Sequence, residues 1–348
     1  MTVLQAHAVA ADILENWKSD QADDFTTILT RLTCFVPGAL DGLHRKIAER
    51  KLFYPGILYL GADPKTRDAL IARVDPSFLR YLTIPTFGNE SLRLNHLLIC
   101  LAWIGDSEIC RLFSHWRAKP PSWQSKLHIP AFKYAQCAGW ELTAAGTRRE
   151  LYSPEAFRLQ PPPAANRADD AAVGVMLPRT DRCGWCNSPL TTLFEFNPSD
   201  PRFAWLGVAG DRLPIPFCHR CSCYCMVYFK IDPGGPATWH PANERPSFNG
   251  SDSDTYDPLP VRPLVLGPRR RSIHETYLQA WAEGPFSQIG GSGLWWQGES
   301  FPECPECRCP MALVGQLTWE DVIEYSEGTT YACLCAHCRV VVTSYPQT

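Results

Sequence analysis

Four Cys-x-x-Cys pairs limit what this chain can fold into more than any other feature of its sequence. They form two sets of two pairs, and the pairs of a set are separated by 31 residues in the first set and 27 in the second. When the sets are aligned on Cys186 and Cys307, a proline follows three residues later in both, at Pro189 and Pro310. The chain therefore contains an internal repeat, whose paired cysteines are Cys183, Cys186, Cys218 and Cys221 in the first copy and Cys304, Cys307, Cys335 and Cys338 in the second.

Two Cys-x-x-Cys pairs bring four thiolates to one point, which suits the tetrahedral coordination of Zn²⁺. The sixteen cysteines can also be read as disulfides, but residues 1–7 lack the basic residue and apolar core of a signal peptide. A chain that is not exported stays in the reducing cytosol, where this spacing is more typical of metal sites. A thioredoxin-like redox role would place one pair before a helix, not four pairs in a repeat.

The sequence thus predicts a cytoplasmic protein with two structural zinc sites, each with four cysteine ligands. Iron in such sites stays an alternative, although zinc is favoured. A catalytic zinc ion needs an open coordination position, which four thiolates do not leave. The His274-Glu275 pair lacks the second histidine of a zinc peptidase, and the glycines at 290, 291 and 293 lack the Lys-Ser/Thr of a phosphate-binding loop. We therefore expect no enzymatic activity, and a tight turn at Gly290 and Gly291.

Composition is that of a globular protein, because 45% of the residues are hydrophobic, 20% are charged, and no apolar run can span a bilayer. The formal net charge of −3 is unevenly distributed. Residues 1–175 carry 20 Lys and Arg against 18 Asp and Glu, whereas residues 176–348 carry 13 against 18. Four thiolates around a dication add negative charge, which argues against a general phosphate-binding surface in the second half.

Helical periodicity covers the first part of the chain. Apolar residues recur at helical spacing from Leu4 to Trp17, from Phe25 to Phe35 and from Leu40 to Lys51. An aspartate at 63 followed by proline at 64 is typical of a helix start. Residues 92–118 contain two apolar stripes separated by an Ile-Gly-Asp turn at 104–106, which resembles a HEAT-type helical hairpin. An ordinary helical bundle would give the same stripes. Four further cysteines are expected to be core thiols: Cys34, Cys100, Cys110 and Cys137.

The predicted fold class is α+β, with an all-α, HEAT-like domain at 1–160, a linker at 161–178 and a duplicated zinc-binding β-rich domain at 179–348. The linker is rich in proline, small residues and charge, without periodicity. The segment from Asn243 to Pro268 reads as a surface loop, again because of its Pro, Ser, Asp and Gly content. Strand-like segments are Leu190–Phe196, Tyr224–Ile231, Met311–Leu317, Thr329–Leu334 and Val340–Tyr345.

A longer pattern surrounds the second set of cysteines. It contains Gly290-Gly291, then Trp295-Trp296-Gln297, the pair at 304 and 307, and Gln316-Leu317 at the end of an apolar strand. This pattern resembles the carboxy-terminal part of the YwqG-like family, bacterial proteins of unknown function, although Ser292 or Leu294 stands where proline is usual. The resemblance implies a β-rich fold with an internal duplication and supplies no catalytic residues. Proteins of this sort occur near bacterial toxin systems, which favours an immunity role.

Several residues near the cysteine pairs have two interpretations. His219 and His337 lie inside pairs, but at different positions, so that the repeat argues against ligation by histidine. Tryptophans 185, 295, 296 and 319 are either a recognition surface or, the favoured reading, packing around the pairs. The neighbouring cysteines either line a strand face or offer alternative ligands, and they are Cys223, Cys225, Cys309 and Cys333.

Three functions remain open at this point. The favoured hypothesis is a zinc-stabilised protein that binds another protein, most plausibly a secreted toxin effector that it neutralises as an immunity protein, through an acidic surface. A zinc-ribbon protein associated with nucleic acid is disfavoured, because the few arginines near the pairs are opposed by Glu195, Glu303 and Glu306. An enzyme with a pocket between its domains, not readable from sequence, is the third. No membrane association is expected.

Overall fold

The computed structural model describes residues 1–18, 21–74, 90–163, 172–223, 225–245, 261–277, 286–295 and 301–345, the side chains of 90–93 excepted. The chain divides into two compact units, Met1–Glu150 and Leu151–Thr348. No helix within the described ranges is long and apolar enough to cross a membrane.

Helices dominate the amino-terminal unit. Asp63 begins the fourth helix as predicted, because its carboxylate accepts a hydrogen bond from the Thr66 N–H at 2.9 Å and Pro64 takes the first position. The helix predicted for residues 40–51 is shorter, since Gly42 adopts a φ of 76° and the chain turns before His44. The helix bounds are Val3–Glu15 (α1), Ala22–Phe35 (α2), His44–Glu49 (α3), Pro64–Arg73 (α4), Glu90–Ile104 (α5) and Ser107–Ala118 (α6).

The two stripes of residues 92–118 form α5 and α6, which are separated by the predicted turn. Asp106 caps α6 by accepting a hydrogen bond from the Ile109 N–H at 3.0 Å. The leucines of the α5 stripe, at 94, 97, 98 and 101, are completely buried. However, α5 packs mainly against the 3₁₀ turns Gly56–Tyr59 and Ala131–Ala138 and less against α6. The HEAT-like hairpin is therefore not confirmed.

The amino-terminal unit is not all-α, in contrast to the prediction. Strands Trp140–Leu142 (β1) and Arg148–Glu150 (β2) form an antiparallel hairpin. The turn between them is closed by a hydrogen bond from the Thr143 N–H to the Thr147 carbonyl at 2.8 Å, with Gly146 at a φ of 78°. A short hairpin with a glycine turn carries no helical period, so helical periodicity in the sequence does not predict it.

The second unit begins earlier than the predicted boundary. Residues Ala156–Gln160 form a strand (β3) that pairs with strands near 265 and 288, so they belong to the carboxy-terminal unit. Of the predicted linker, residues 164–171 lie outside the described residues, and Val173–Arg182 form strand β4. Proline content misled the prediction here, because β4 lies at the edge of its sheet, a position where proline such as Pro178 is tolerated.

The described strands of the carboxy-terminal unit form two antiparallel sheets. One has three strands in the order β4-β5-β6 and the other eight in the order β8-β7-β13-β12-β11-β10-β3-β9. A short helix, Trp319–Val322 (α7), follows β11. The remaining strands are Pro189–Phe196 (β5), Leu213–Phe217 (β6), Val227–Ile231 (β7), Ala237–Trp239 (β8), Val265–Arg269 (β9), Gln288–Gly290 (β10), Ala312–Thr318 (β11), Thr329–Cys335 (β12) and Val340–Ser344 (β13).

The strand predictions are correct to within a few residues. The internal repeat is also visible in the way the strands pair. In each copy a strand pairs with the strand that follows the first cysteine pair, giving β4-β5-β6 in one sheet and β10-β11-β12 in the other. The next strand of the second copy, β13, stays beside β12. Its counterpart in the first copy, β7, instead pairs antiparallel with β13, so that Val342 lies opposite Tyr228. The two copies therefore share one sheet.

The three-stranded sheet covers one face of the larger sheet. Phe194 of β5 is completely buried, and its ring would lie 3.1 Å from a Cβ placed on Gly315 of β11. These two positions correspond in the repeat, so the copies meet through equivalent residues. The opposite face of β11–β13 is also buried, beneath Leu151, Phe301 and the second set of cysteines. Burial on both faces accounts for the apolar character of most of these residues, and the polar ones at 316, 318, 329, 330 and 343 are buried as well.

Candidate metal centres

The eight paired cysteines form two compact groups, as their spacing predicts. In each group the four sulfur atoms all lie within 4.8 Å of one another. The turns that carry them lie between β4 and β5, after β6, before β11 and between β12 and β13. We call the groups the first cage (Cys183, Cys186, Cys218, Cys221) and the second cage (Cys304, Cys307, Cys335, Cys338).

The leading turns of both cages are built alike. In the first, the Cys183 N–H donates to the Ser188 carbonyl at 2.9 Å. In the second, the Cys304 N–H donates to the carbonyl of Cys309, also five residues later, at 2.8 Å. The residue after the second cysteine is left-handed in both, with φ 59° at Asn187 and 62° at Arg308. Asparagine tolerates this conformation better than arginine, so the sequence signalled it in one copy only.

The sulfur spacing fits a tetrahedral zinc ion. Sulfur–sulfur distances are 3.7 Å between Cys183 and Cys221, 3.6 Å between Cys186 and Cys218, and 3.7 Å between Cys307 and Cys335. Four ligands at a Zn–S distance of about 2.3 Å would lie about 3.8 Å apart. These three sulfur–sulfur distances are therefore close to those expected around a zinc ion with four sulfur ligands.

Proton sharing among the thiols also favours a cation. Hydrogen bonds from Cys218 and Cys221 lower the pKa of Cys183 to about 2, and the same sharing raises the pKa of both donors. In the second cage burial raises the pKa of Cys307, but the Cys309 N–H and the neighbouring thiols outweigh it and lower that pKa to about 7. One thiolate thus forms at the expense of its neighbours. A bound dication would offset this competition and allow all four to ionise.

The cages differ in their exposure to solvent. Cys183, Cys218 and Cys221 are at most 2% exposed, and Cys186 is half-buried. In the second cage two cysteines, Cys307 and Cys338, are half-buried. The first cage is therefore the more enclosed of the two.

Polar contacts hold the second cage from outside. The Lys230 ammonium on β7 donates to both oxygens of Glu306 at 2.7 and 2.8 Å, and to the Cys338 carbonyl at 2.7 Å. The buried His240 ring lies 3.4 Å from the same carboxylate. The contacts of Glu306, first with Lys230, lower its pKa. Residues of the first copy thus fix the leading turn of the second cage.

Neither histidine of the cysteine pairs belongs to a cage. His219 packs against Phe217 and Trp319, with ring centroids 4.8 and 5.2 Å apart, and burial lowers its pKa to about 4. His337 is not part of the four-sulfur groups either. The position of histidine within the repeat predicted both outcomes.

The other cysteines of this unit also lie outside the cages. Cys333 of β12 is completely enclosed, and burial raises its pKa. Cys223 and Cys225 are half-buried beside the first cage, whereas Cys309 is exposed beside the second.

Tryptophans pack around the cages, the favoured of the two readings. Trp185 is 7% exposed and meets Trp239 edge-on, at 5.4 Å between ring centroids. Trp295 stacks on Tyr331 at 4.4 Å. Trp319 is buried and donates to the Thr330 hydroxyl at 3.0 Å. Trp296 lies outside the described residues.

Two buried glutamines are structural residues that sequence reasoning did not identify as such. Gln316 donates to the Phe286 carbonyl at 2.9 Å and accepts from the Leu294 N–H at 2.7 Å, which fastens both flanks of β10. Gln288 donates to the carbonyls of Gly290 and Ser292. In the sequence, the structural role of Gln316 was indicated by its position as a polar residue between the apolar residues Val314 and Leu317 of β11.

The glycines at 290 and 291 form the predicted tight turn. Their φ angles are 70° and 68°, and a Cβ on Gly290 would lie 2.1 Å from the Glu155 carbonyl. The turn thus needs glycine both for its left-handed conformation and for its close contact with the backbone of Glu155.

A cleft of about 550 Å³ opens on the first copy. Its charged residues form two ion pairs, Arg179 with Asp181 and Arg212 with Glu195. The other lining residues are Leu177, Pro178, Thr180, Thr192, Pro214, Gly234, Gly235, Pro236 and Ala237. No histidine, cysteine or lysine is among the described residues that line this cleft.

Comparison with known proteins identifies a relative of nearly the whole chain. The chain is 32% identical over 343 residues to the uncharacterized protein YpfL of Salmonella typhimurium strain LT2, which covers 96% of this chain and 75% of that protein. No family model and no solved structure matches. The resemblance to the YwqG-like family stays a prediction.

Proposed function

The chain belongs to the same family as YpfL, and we propose that it is a non-enzymatic protein, stabilised by two structural zinc ions, that binds another protein. The observation that carries this proposal is the grouping of eight cysteines into two cages, each with four sulfur atoms within 4.8 Å. Such a cage offers zinc four ligands and no position for water, so the ion stabilises the fold and activates nothing. Each ion contributes on the order of 10 kcal/mol of apparent binding free energy to folding.

The cleft of the first copy supports a binding role over a catalytic one. Its two carboxylates, Asp181 and Glu195, are both engaged by arginines, at 2.6 and 2.5 Å. Pairing with arginine thus occupies both carboxylates of this cleft, which leaves fewer of their oxygen lone pairs for a substrate. Two ion pairs beside proline and glycine surfaces suit contact with a polypeptide.

For the partner, we propose a basic toxin that this protein neutralises. The support is electrostatic, since residues 176–348 have 13 basic and 18 acidic side chains before the thiolates are counted. Opposite charge accelerates the encounter of two proteins and selects among partners. Association should therefore weaken as salt increases.

Nucleic-acid binding has less support. Arg182 donates to the Asn187 carbonyl at 2.8 Å, and Arg339 donates to the carbonyls of Ala209, Ile231 and Asp232. These guanidinium groups hydrogen-bond to backbone carbonyls near the cysteine turns, which gives them a structural role.

A binding and survival experiment tests the proposal. The zinc-loaded chain is titrated calorimetrically with each toxin encoded beside its gene, and a metal-depleted sample is the control. We expect binding to one toxin, weaker binding in 0.5 M salt, and none after metal removal. Death of a toxin-exposed strain that lacks the gene, with rescue by the gene, is the matching result in cells. Survival of the strain without the gene would contradict the proposal, as would toxin-independent turnover of a substrate by the chain.

A further inference from the structure

The second cage has a fifth thiol at a position where the first cage has a hydroxyl. Cys309 lies five residues after Cys304, and Ser188 lies five residues after Cys183. Both carbonyls accept the same backbone hydrogen bond, so the two positions are structurally equivalent. The leading turns of the two cages thus differ at this position by a thiol in place of a hydroxyl.

Exposure separates the two positions as well. Ser188 is 9% exposed, whereas Cys309 is exposed to solvent. The neighbouring ligand, Cys307, is half-buried. A dissolved oxidant can therefore reach sulfur at the second cage, whereas the ligands of the first cage are mostly buried. Exposure and thiolate character together set the rate of cysteine oxidation.

Cys309 is also in contact with a ligand residue. Its sulfur lies 3.7 Å from the carbonyl oxygen of Cys307, and its N–H donates to the Cys307 sulfur. Arg308 between them is left-handed, which folds the chain back on itself. Cys333, the other non-ligand cysteine of the second copy, is enclosed in the core and cannot take this role.

We propose that the second cage is an oxidation-sensitive zinc site, in which peroxide links Cys309 to Cys307 and releases the ion, while the first cage retains its zinc. The proposal rests on the zinc occupancy proposed above. Hydrogen peroxide converts the Cys309 thiol to a sulfenic acid and is itself reduced to water. The Cys307 thiolate then attacks that sulfur and displaces hydroxide. A disulfide forms as the Zn–S bond breaks, and three sulfurs no longer complete the cage.

Zinc release from the full chain tests this proposal. Protein with two bound ions is treated with a small excess of hydrogen peroxide, and released zinc is followed with a chromogenic chelator. We expect one ion to be lost and the other retained. Cys309→Ser copies the first cage and should keep both ions over the same time. Cys223→Ser removes a half-buried, non-ligand thiol beside the first cage and should behave as wild type.

Peptide mapping of the oxidised wild-type protein makes the test independent of any variant. A Cys307–Cys309 disulfide supports the proposal. A disulfide that excludes Cys309, loss of zinc from the first cage first, or equal release from wild type and Cys309→Ser would each overturn it. Metal analysis before oxidation distinguishes failure of the proposed zinc occupancy from failure of this inference. Fewer than two zinc ions per chain would contradict the occupancy. Two ions that are released at the same rate by peroxide would contradict only this inference.

Discussion

The two copies of the repeat have the same chain path but not the same surroundings. The first cage is almost closed to solvent, whereas two ligands of the second are half-buried. Strand β7 of the first copy pairs with β13 of the second copy. Lys230 of β7 donates hydrogen bonds to Glu306, which lies in the leading turn of the second cage. Duplicated sequence thus specifies the metal geometry twice, while packing between the copies decides how enclosed each site is.

Ligand removal should separate the copies most strongly. Cys218→Ser takes a sulfur from the enclosed cage, and Cys338→Ser takes one from the more open cage. Removal of one of four ligands weakens zinc binding, so we expect each variant to lose the ion of its own cage. Cys218→Ser should also unfold the carboxy-terminal unit, because Cys218 lies in the buried core of that unit, whereas Cys338→Ser changes a half-buried ligand and should leave a folded chain with one ion. Zinc analysis and circular dichroism distinguish them, and two retained ions in either variant would contradict the account.

Phe194→Ala tests the contact between equivalent positions. The ring is completely buried over Gly315, so its loss leaves a cavity between the two sheets. We expect the free energy of unfolding to fall by about 3–5 kcal/mol in urea. Phe25→Ala, which removes a half-buried ring in the other unit, is the control and should cost less. Similar losses would show that the two copies do not pack through this pair.

A reciprocal exchange at equivalent positions examines the buried network. Gln316 is completely buried, whereas Glu195 is partly exposed and pairs with Arg212. Gln316→Glu removes the donor to the Phe286 carbonyl and buries a carboxylate, which should cost about 3 kcal/mol at pH 7. Glu195→Gln should cost less than about 1 kcal/mol.

The Gln316→Glu deficit should depend on pH. Burial raises the pKa of the new carboxyl in the folded state above its unfolded value of about 4.3. The unfolded state therefore releases the proton first, and the variant loses stability as pH rises through the folded pKa. Urea unfolding of the variant and of wild type at pH 5 and pH 8 measures the effect. A larger deficit at pH 5 would contradict it.

Lys230→Met should have the smallest effect. The Lys230–Glu306 pair is 37% and 36% exposed, so solvent screening limits its contribution to less than about 1 kcal/mol. The variant should instead weaken zinc retention by the second cage, because it also loses the hydrogen bond from Lys230 to the Cys338 carbonyl. We expect one of two ions to exchange faster with a chelator. Faster exchange of both ions would argue against a local role for Lys230.

The metal ligands could be predicted from sequence because their chemistry repeats at fixed spacing. The same holds for strands β5, β11, β12 and β13, which are segments rich in apolar and β-branched residues between turn residues. Asp63 and Asp106 were equally readable as helix caps, since capping depends on a few neighbouring residues.

Long-range pairing was not readable in the same way. β3 was assigned to the helical half because its partners lie more than a hundred residues away, in β9 and β10. The pairing of β7 with β13 of the second copy has no local signal either, because the alternating buried and partly exposed residues of β7 suit either sheet. Exposure of Cys309 against burial of Ser188 likewise depends on tertiary packing, not on spacing.

The coordination of the two cages can be measured by X-ray absorption at the zinc edge, together with metal analysis of the purified chain. We expect two zinc ions per chain, each with four sulfur ligands at about 2.3 Å and no lighter ligand. Fewer than two ions, or a nitrogen or oxygen ligand on either, would contradict the closed cages and with them the case for a binding protein.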